Sequence, residues 1–362
     1  MRRRLRTIVR RVVKWSLLAA VVALVLLLVP VVYVELACRG DQRTDRSTPL
    51  ITDPAFQRHE ANTYLTYPEW HIVYAYDGLA QALKTGDEHS FDYASSVTGF
   101  WRTACVLMRV ADEHGGADGA TRQMIHTIGV SFTAEMGAKA AYEETLGRFT
   151  AWLRGSGKTP QDEVVATMAT DYAAFLRQTP WYQYPFQRET QKLWAAPVHG
   201  WLRGWERRLA IGSEFTAKRV YASAIAGAVA ATGEATLVIR TVVAGLDART
   251  LASIGDVTVV RATQTGVEIE TPRYDRFTQI LSEVARRGGT IREVAGNDDI
   301  MLTLTVPQDR PAQLPTGTVI MRVKRDGFAS DRVLVSLKVT NLATLLRAYP
   351  LGDPGVEHVF DY

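Results

Sequence analysis

Between Tyr64 and Asp77 the chain gathers Tyr64, Tyr67, Glu69, Trp70, His71, Tyr74, Tyr76 and Asp77. Two carboxylates and an imidazole set among aromatic rings could line a ligand pocket and supply a general acid or base. Glu69, His71 and Asp77 are the acid–base candidates, and Tyr64, Trp70, Tyr74 and the more distant Trp101 are the ligand-facing ones. The same spacing also suits a helix core, because Trp and Tyr at helical intervals bury large apolar surfaces. Glu69 has a competing structural task, since Thr66-Tyr67-Pro68-Glu69 reads as a capping box.

Further along, Glu135 and Lys139 stand four residues apart with Glu143 one turn beyond. A buried Glu135 would have a displaced pKa and become a further acid–base candidate. The commoner outcome is a solvated i,i+4 pair, worth ~0.2–0.5 kcal/mol.

Other chemistries lack their signatures. None of the seven histidines has Glu three residues before it, as a di-iron bundle needs, and there is no HExxH. No GxSxG, GxGxxG or P-loop is present. Common hydrolase and nucleotide-binding classes are thereby disfavoured, and neither a metal nor a cofactor is expected. Asn297-Asp298-Asp299 reads as hairpin chemistry rather than a cation site, and Glu357, His358 and Asp361 read as an edge strand.

Positioning these residues falls first to helices. Ser90 is a candidate cap for a helix carrying Phe91, Phe100, Trp101, Cys105 and Met108. Ile125, Ile128, Phe132 and Met136 make the buried stripe of a long helix over 121–154. Thr159-Pro160 opens another in the order cap residue then N1 proline, and a last long helix begins near Trp201. Trp194, Trp201 and Trp205 with Arg203, Arg207 and Arg208 could rest on a membrane surface, but packed helices with surface arginines are the preferred reading. Five such helices could close a bundle over residues 63–233. Within it Ile128–Ala134 echoes Ile211–Ala217, a match that chance among Ala, Gly and Thr explains more readily than duplication.

From about Thr236 the hydrophobic period changes from 3.6 to 2. Strands and helices alternate as βαββαβ, with the first helix opened by Asp247 and the second by Thr271-Pro272. That order predicts a ferredoxin-like antiparallel sheet. Further strands at 300–306, 318–324, 333–339 and 356–360, and a helix opened by Asn341, extend the sheet or add a half-repeat over the rest of 234–362.

The leader decides where all this works. Residues 1–14 hold seven Lys/Arg and no acid, and residues 12–34 form an apolar run whose only cationic member is Lys14. At ~1.5 Å per residue the run crosses the ~30 Å of a bilayer core. Its flanking cations keep residues 1–11 cytoplasmic and send the remainder out. The length of the run and Glu35 in Glu35-Leu36-Ala37-Cys38 argue for an uncleaved anchor rather than a removed or lipidated signal. Removing the leader's cations turns the net charge from +4 to −3, so no nucleic-acid partner is implied. Residues 35–62 are polar and read as a tether. Cys38 and Cys105 could pair in an oxidising compartment, although spacing leaves a bridge and two free thiols equally open.

The expectation is an α+β protein of a bacterial inner membrane: a single N-terminal transmembrane helix bound to the bilayer through 12–34, a periplasmic helical bundle, and a ferredoxin-like domain. It would act as a binding, sensing or assembly component with a protein or small-molecule partner. The alternative is a periplasmic enzyme using Glu69, His71, Asp77 or Glu135 around an aromatic pocket.

Overall fold

The computed structural model describes residues 2–43, 48–232 and 237–362. The boundaries expected at Gly233 and Thr236 fall outside the described residues. The chain opens with one helix, α1 (Arg2–Ala37), whose segment Val13–Ala37 is long and apolar enough to cross a membrane.

The end of α1 is built into the folded body. Val34 and Cys38 are buried, and Cys38 is disulfide-bonded to Cys105, with Cα atoms 5.0 Å apart. Glu35 Oε1 lies 2.7 Å from His126 Nε2 and 3.6 Å from Arg122. The Gly40 amide donates to Asp112 Oδ2 at 2.9 Å, and the Arg43 amide to the Asp112 carbonyl. The stretch read as a tether is packed as well. Leu50 and Ile51 donate their amides to the Glu293 carboxylate, and Phe56 lies under the Arg240 guanidinium at 3.4 Å.

Helices follow as α2 (Asn62–Leu65), α3 (Tyr67–Thr85), α4 (Tyr93–Asp112), α5 (Gly119–Tyr142), α6 (Arg148–Arg154), α7 (Pro160–Leu176), α8 (Phe186–Ala195) and α9 (Trp201–Thr232). The stretch expected as one helix over 121–154 is α5 and α6 joined by a π-helical segment, Glu143–Gly147. Thr159 and Asp162 complete a capping box at α7, in which the Thr hydroxyl accepts from the Asp162 amide and the Asp carboxylate from the Thr159 amide.

Two expected caps are corrected. Asp92, not Ser90, caps α4, accepting the Ser95 amide at 2.9 Å. Thr66 makes no cap bond at α3: α2 runs almost directly into α3 through a helical Thr66, whose hydroxyl donates to the Thr63 and Asp361 carbonyls.

The remaining residues form β1 (Val238–Ala244), α10 (Ala248–Ala252), β2 (Thr258–Thr263), β3 (Gly266–Pro272), α11 (Tyr274–Arg286), β4 (Thr290–Val294), β5 (Asp299–Pro307), β6 (Thr318–Val323), β7 (Ser330–Lys338), α12 (Val339–Ala348) and β8 (Gly355–Val359). Asp247 caps α10 as expected. Thr271-Pro272 belongs instead to the end of β3, and α11 opens at Tyr274; α12 likewise opens at Val339, ahead of Asn341.

These strands make two four-stranded antiparallel sheets rather than one extended sheet, in the orders β2-β3-β1-β4 and β6-β7-β5-β8. The sheets repeat one another in detail. Register shifts fall at Val242/Val243 and Val259/Arg261 in the first, and at Thr303/Leu304 and Val319/Met321 in the second.

α11 and α12 pack together, and each also touches the other half's edge strand, α11 against β8 and α12 against β4. The second sheet is covered on both faces. Leu302, Leu304, Val333 and Val335 join the core with α11 and α12, whereas Met301, Leu334 and Phe360 join the helical core. Such double coverage is why β5 is buried nearly throughout, Thr303 and Thr305 included, instead of exposing every second residue.

Candidate functional site

Where α3 and α4 meet the β6 edge of the second sheet, the surface folds into a cleft of about 360 Å³. His71, Tyr74 and Phe91 supply apolar and aromatic lining, and Ser95, Ser96, Thr98 and Thr103 of α4 supply polar groups. Met321, Val323 and Phe328 close the opposite wall. Gly78 and Gly99 keep the space open, since a Cβ would stand 3.1 Å from Phe91 Cε2 at Gly78 and 3.3 Å from His71 Cε1 at Gly99.

The charges around the cleft fall into two groups. Arg332 is buried and ion-paired with Glu357, and Arg325 is buried and paired with Asp353 and Glu357. Burial works against the Arg332 cation, but Glu357 more than offsets it, so its pKa lies above the ordinary arginine value. Arg102 and Lys324, by contrast, are exposed and have neither hydrogen bond nor ion pair among the described residues. Asp326 is the one lining carboxylate, and burial followed by the nearby Asp92 pushes its pKa up. A cleft of mixed aromatic and polar lining, with Arg102 and Lys324 outside any described ion pair although Lys324 lies near enough to Asp326 and Asp92 to oppose a rise in their pKa, suits a ligand that has an acidic end and an apolar body.

The expected site residues scatter. His71 lines the cleft, but its ring is in the core between Phe100 and Phe132, and Nε2 donates to the Ser96 carbonyl at 2.9 Å. Desolvation lowers its pKa to about 4, so it is neutral at neutral pH. Glu69 is exposed in the first turn of α3. Asp77 is ion-paired with Arg177; burial raises its pKa and Arg177 opposes that rise. Glu135 accepts from the Tyr76 hydroxyl and pairs with Lys218 at 2.7 Å. The expected Glu135–Lys139 pair is replaced by pairs between α5 and α9, because Lys139 reaches Glu214 at 2.7 Å instead. Two lysines hold the half-buried Glu214 carboxyl at about 2 despite its desolvation.

Among the aromatic candidates only Tyr74 reaches the cleft. Tyr64 bonds His114 at 3.2 Å and Ser336 at 2.7 Å, and Trp101 donates to Thr133 at 2.9 Å. Trp70 lies against His358, with ring centroids 3.6 Å apart. Glu357, His358 and Asp361, read as parts of an edge strand, are buried against the helices and α11.

The arginines of α9 were expected at the surface, and they are its most buried charges. Arg203 and Arg207 are 2% and 0% exposed, while Trp201 and Trp205 face outward. Arg207 meets Glu88 at 2.7 Å and Glu143 at 3.1 Å, Arg203 meets Asp162 at 2.9 Å and Glu206 at 3.0 Å, and Arg154 joins Asp87 to Asp162. The π-helical segment carries Glu143 into this network. Burial pushes the Glu143 carboxyl up, and Arg207 pulls it the other way.

One further cluster was visible in the sequence only through Asp299, which read as hairpin chemistry. Glu60, His114 and Asp299 each offer a donor atom within 4.8 Å of the others, a set that could hold a cation. Lys338 already places its ammonium 2.6 Å from Asp299 and 3.0 Å from Asp298. Compared with protein-family profiles, curated proteins and solved structures, the chain gives no match.

Proposed function

We propose that the chain is a single-pass protein of a bacterial inner membrane, with a cytoplasmic N-terminus and an exported body that binds an acidic, partly apolar ligand. The cleft, whose aromatic side faces the exposed Arg102 and Lys324, neither of them in an ion pair among the described residues, carries this reading. Export is supported by the cationic flank of α1 and by the Cys38–Cys105 bridge, which an oxidising compartment favours. Ferredoxin-like architecture is supported for each sheet by its strand order, the second lacking the first helix of the pattern. A binding role on such a scaffold is argued from the site, not from the fold.

The test uses the full chain in lipid nanodiscs and a dansylated undecanoate as probe. Saturable uptake is expected, and Arg102→Gln with Lys324→Gln should weaken it about tenfold or more, at roughly 1.5–3 kcal/mol per charged hydrogen bond. Equal binding by both proteins would remove the cleft from consideration. The enzyme alternative retains one supporting observation, that His71 lines the cleft as a neutral imidazole. Glu69, Asp77 and Glu135 do not line it.

A further inference from the structure

α6 and the start of α9 expose an unusual amount of aromatic surface at one end of the helical body. Trp152 and Trp201 are 73% and 74% exposed, and Phe149, Leu153, Trp205 and Leu209 are exposed beside them. Soluble surfaces rarely gather so many large apolar side chains unless something covers them. The two helices share that end because α9 runs antiparallel to α5 and to α6, which continues α5: Lys218 pairs with Glu135 and Glu206 bonds Tyr142 on α5, and Arg203 reaches Thr150 on α6.

The course of α1 says what covers them. Past its end, Cys38 is bonded to Cys105, Gly40 packs on Arg109, and Arg43 bonds Asp112, so the chain travels along α4 in the same direction. α4 and α5 are antiparallel, since Phe100 meets Phe132 and Asp112 meets Arg122. Followed backwards, α1 therefore leads toward the far end of α5, where Phe149 and Trp152 stand. On that course, a membrane entered by α1 would lie on the side where the exposed indoles are.

We propose that this end, α6 with the first turns of α9, is seated in the interfacial layer of the leaflet from which α1 emerges. It rests on the reading of α1 as a membrane anchor. Indole rings favour that layer, where an apolar body and a polar N–H are both accommodated. Arg148 is exposed on α6, paired with the equally exposed Glu144, and can extend its charge toward headgroups by leaving that surface pair. Arg208 lies over the rings of Trp194 and Trp205, a stacking that keeps its guanidinium beside the aromatic surface. The body would thus be held at two places, a spanning helix and a resting face, which fixes its tilt on the membrane.

The test places a single fluorophore on the full chain in nanodiscs of phosphatidylcholine and phosphatidylglycerol, with nitroxide lipids as quenchers. Labels enter through Leu153→Cys, Leu202→Cys, Leu24→Cys in α1, and Gln308→Cys in the turn after β5. Loss of emission is expected at Leu153 and Leu202 with headgroup-level nitroxides, at Leu24 with deep ones, and at Gln308 with neither. Quenching at Leu24 alone overturns the resting face and leaves the anchor standing. No quenching at Leu24 overturns the anchor and this proposal with it. Should Leu153 and Leu202 be shielded from nitroxides in discs holding two copies, the face is a dimer contact and the proposal falls.

Discussion

The guanidinium of Arg332 lies 3.4 Å above the ring of Tyr74, joining β7 to α3. Glu357 of β8 completes the unit, taking two hydrogen bonds from Arg332, one of them 2.7 Å from Nη2 to Oε1. All three side chains are buried or nearly so, and the packing of the second sheet on the helices depends on a charge kept away from water. Removing one partner of a buried pair costs about 3–5 kcal/mol when the other charge is left stranded; here Arg325, 3.7 Å from Glu357, remains, which holds the expected cost to about 3 kcal/mol. Arg332→Met should lower unfolding free energy by that amount in chemical denaturation. Arg332→Met with Glu357→Leu should recover most of it, and an unimproved double variant would show that stacking on Tyr74 outweighs the ion pair.

His71 sets an acid limit on the helical body. Its folded pKa of about 4 lies below the ordinary 6.5, so between those values the unfolded chain binds more protons than the folded one. Stability from this residue is complete above pH 6.5 and is lost as pH falls toward 4. His71→Gln keeps an N–H donor for the Ser96 carbonyl and cannot titrate. Denaturation at pH 7 and pH 4.5 should show a smaller loss for the variant than for the parent. Equal losses would mean that the acid sensitivity lies elsewhere.

The bridge between Cys38 and Cys105 closes a separation of 67 residues. A loop of that length restricts the unfolded chain by about 4 kcal/mol in the chain-entropy description. Material from cells should resist maleimide until reduced, and Cys38→Ser with Cys105→Ser should be destabilised by up to that amount. Two thiols that react without reductant would argue against an exported body.

What the sequence made legible were features written in neighbouring residues. Thr159-Pro160 foretold α7, Asp247 foretold α10, and the change of period near residue 236 foretold the strands. Less legible were features that depend on what arrives from far along the chain. Arg203 and Arg207 read as surface charges because most of their carboxylate partners, Glu88, Glu143 and Asp162, come from three other segments, while Trp201 and Trp205 read as core because aromatic rings usually are. α8 escaped because polar Gln187, Arg188 and Gln191 mask its short apolar side. The cleft is made where residues 71–103 meet residues 321–332, a pairing that no local motif encodes.

The echo between 128–134 and 211–217 is a case in which sequence suggested likeness and structure shows how far it goes. In both stretches the threonine hydroxyl donates to the glycine carbonyl four residues earlier, Thr133 to Gly129 and Thr216 to Gly212, at 2.7 Å. In both, the glycine faces an indole from another helix. At Gly129 a Cβ would stand 2.6 Å from atoms of both Phe100 and Trp101, two rings fixed in the core. At Gly212 it would stand 3.1 Å from Trp194, which is partly exposed and free to shift. Gly129→Ala should therefore cost about 1–3 kcal/mol through overpacking, and Gly212→Ala should be close to neutral. Gly137 lies on α5 with nothing near its Cβ position, so Gly137→Ala should gain up to ~1 kcal/mol from helix propensity. Chemical denaturation of the three variants checks the order, and a harmless Gly129→Ala would mean that α4 and α5 do not meet at this glycine.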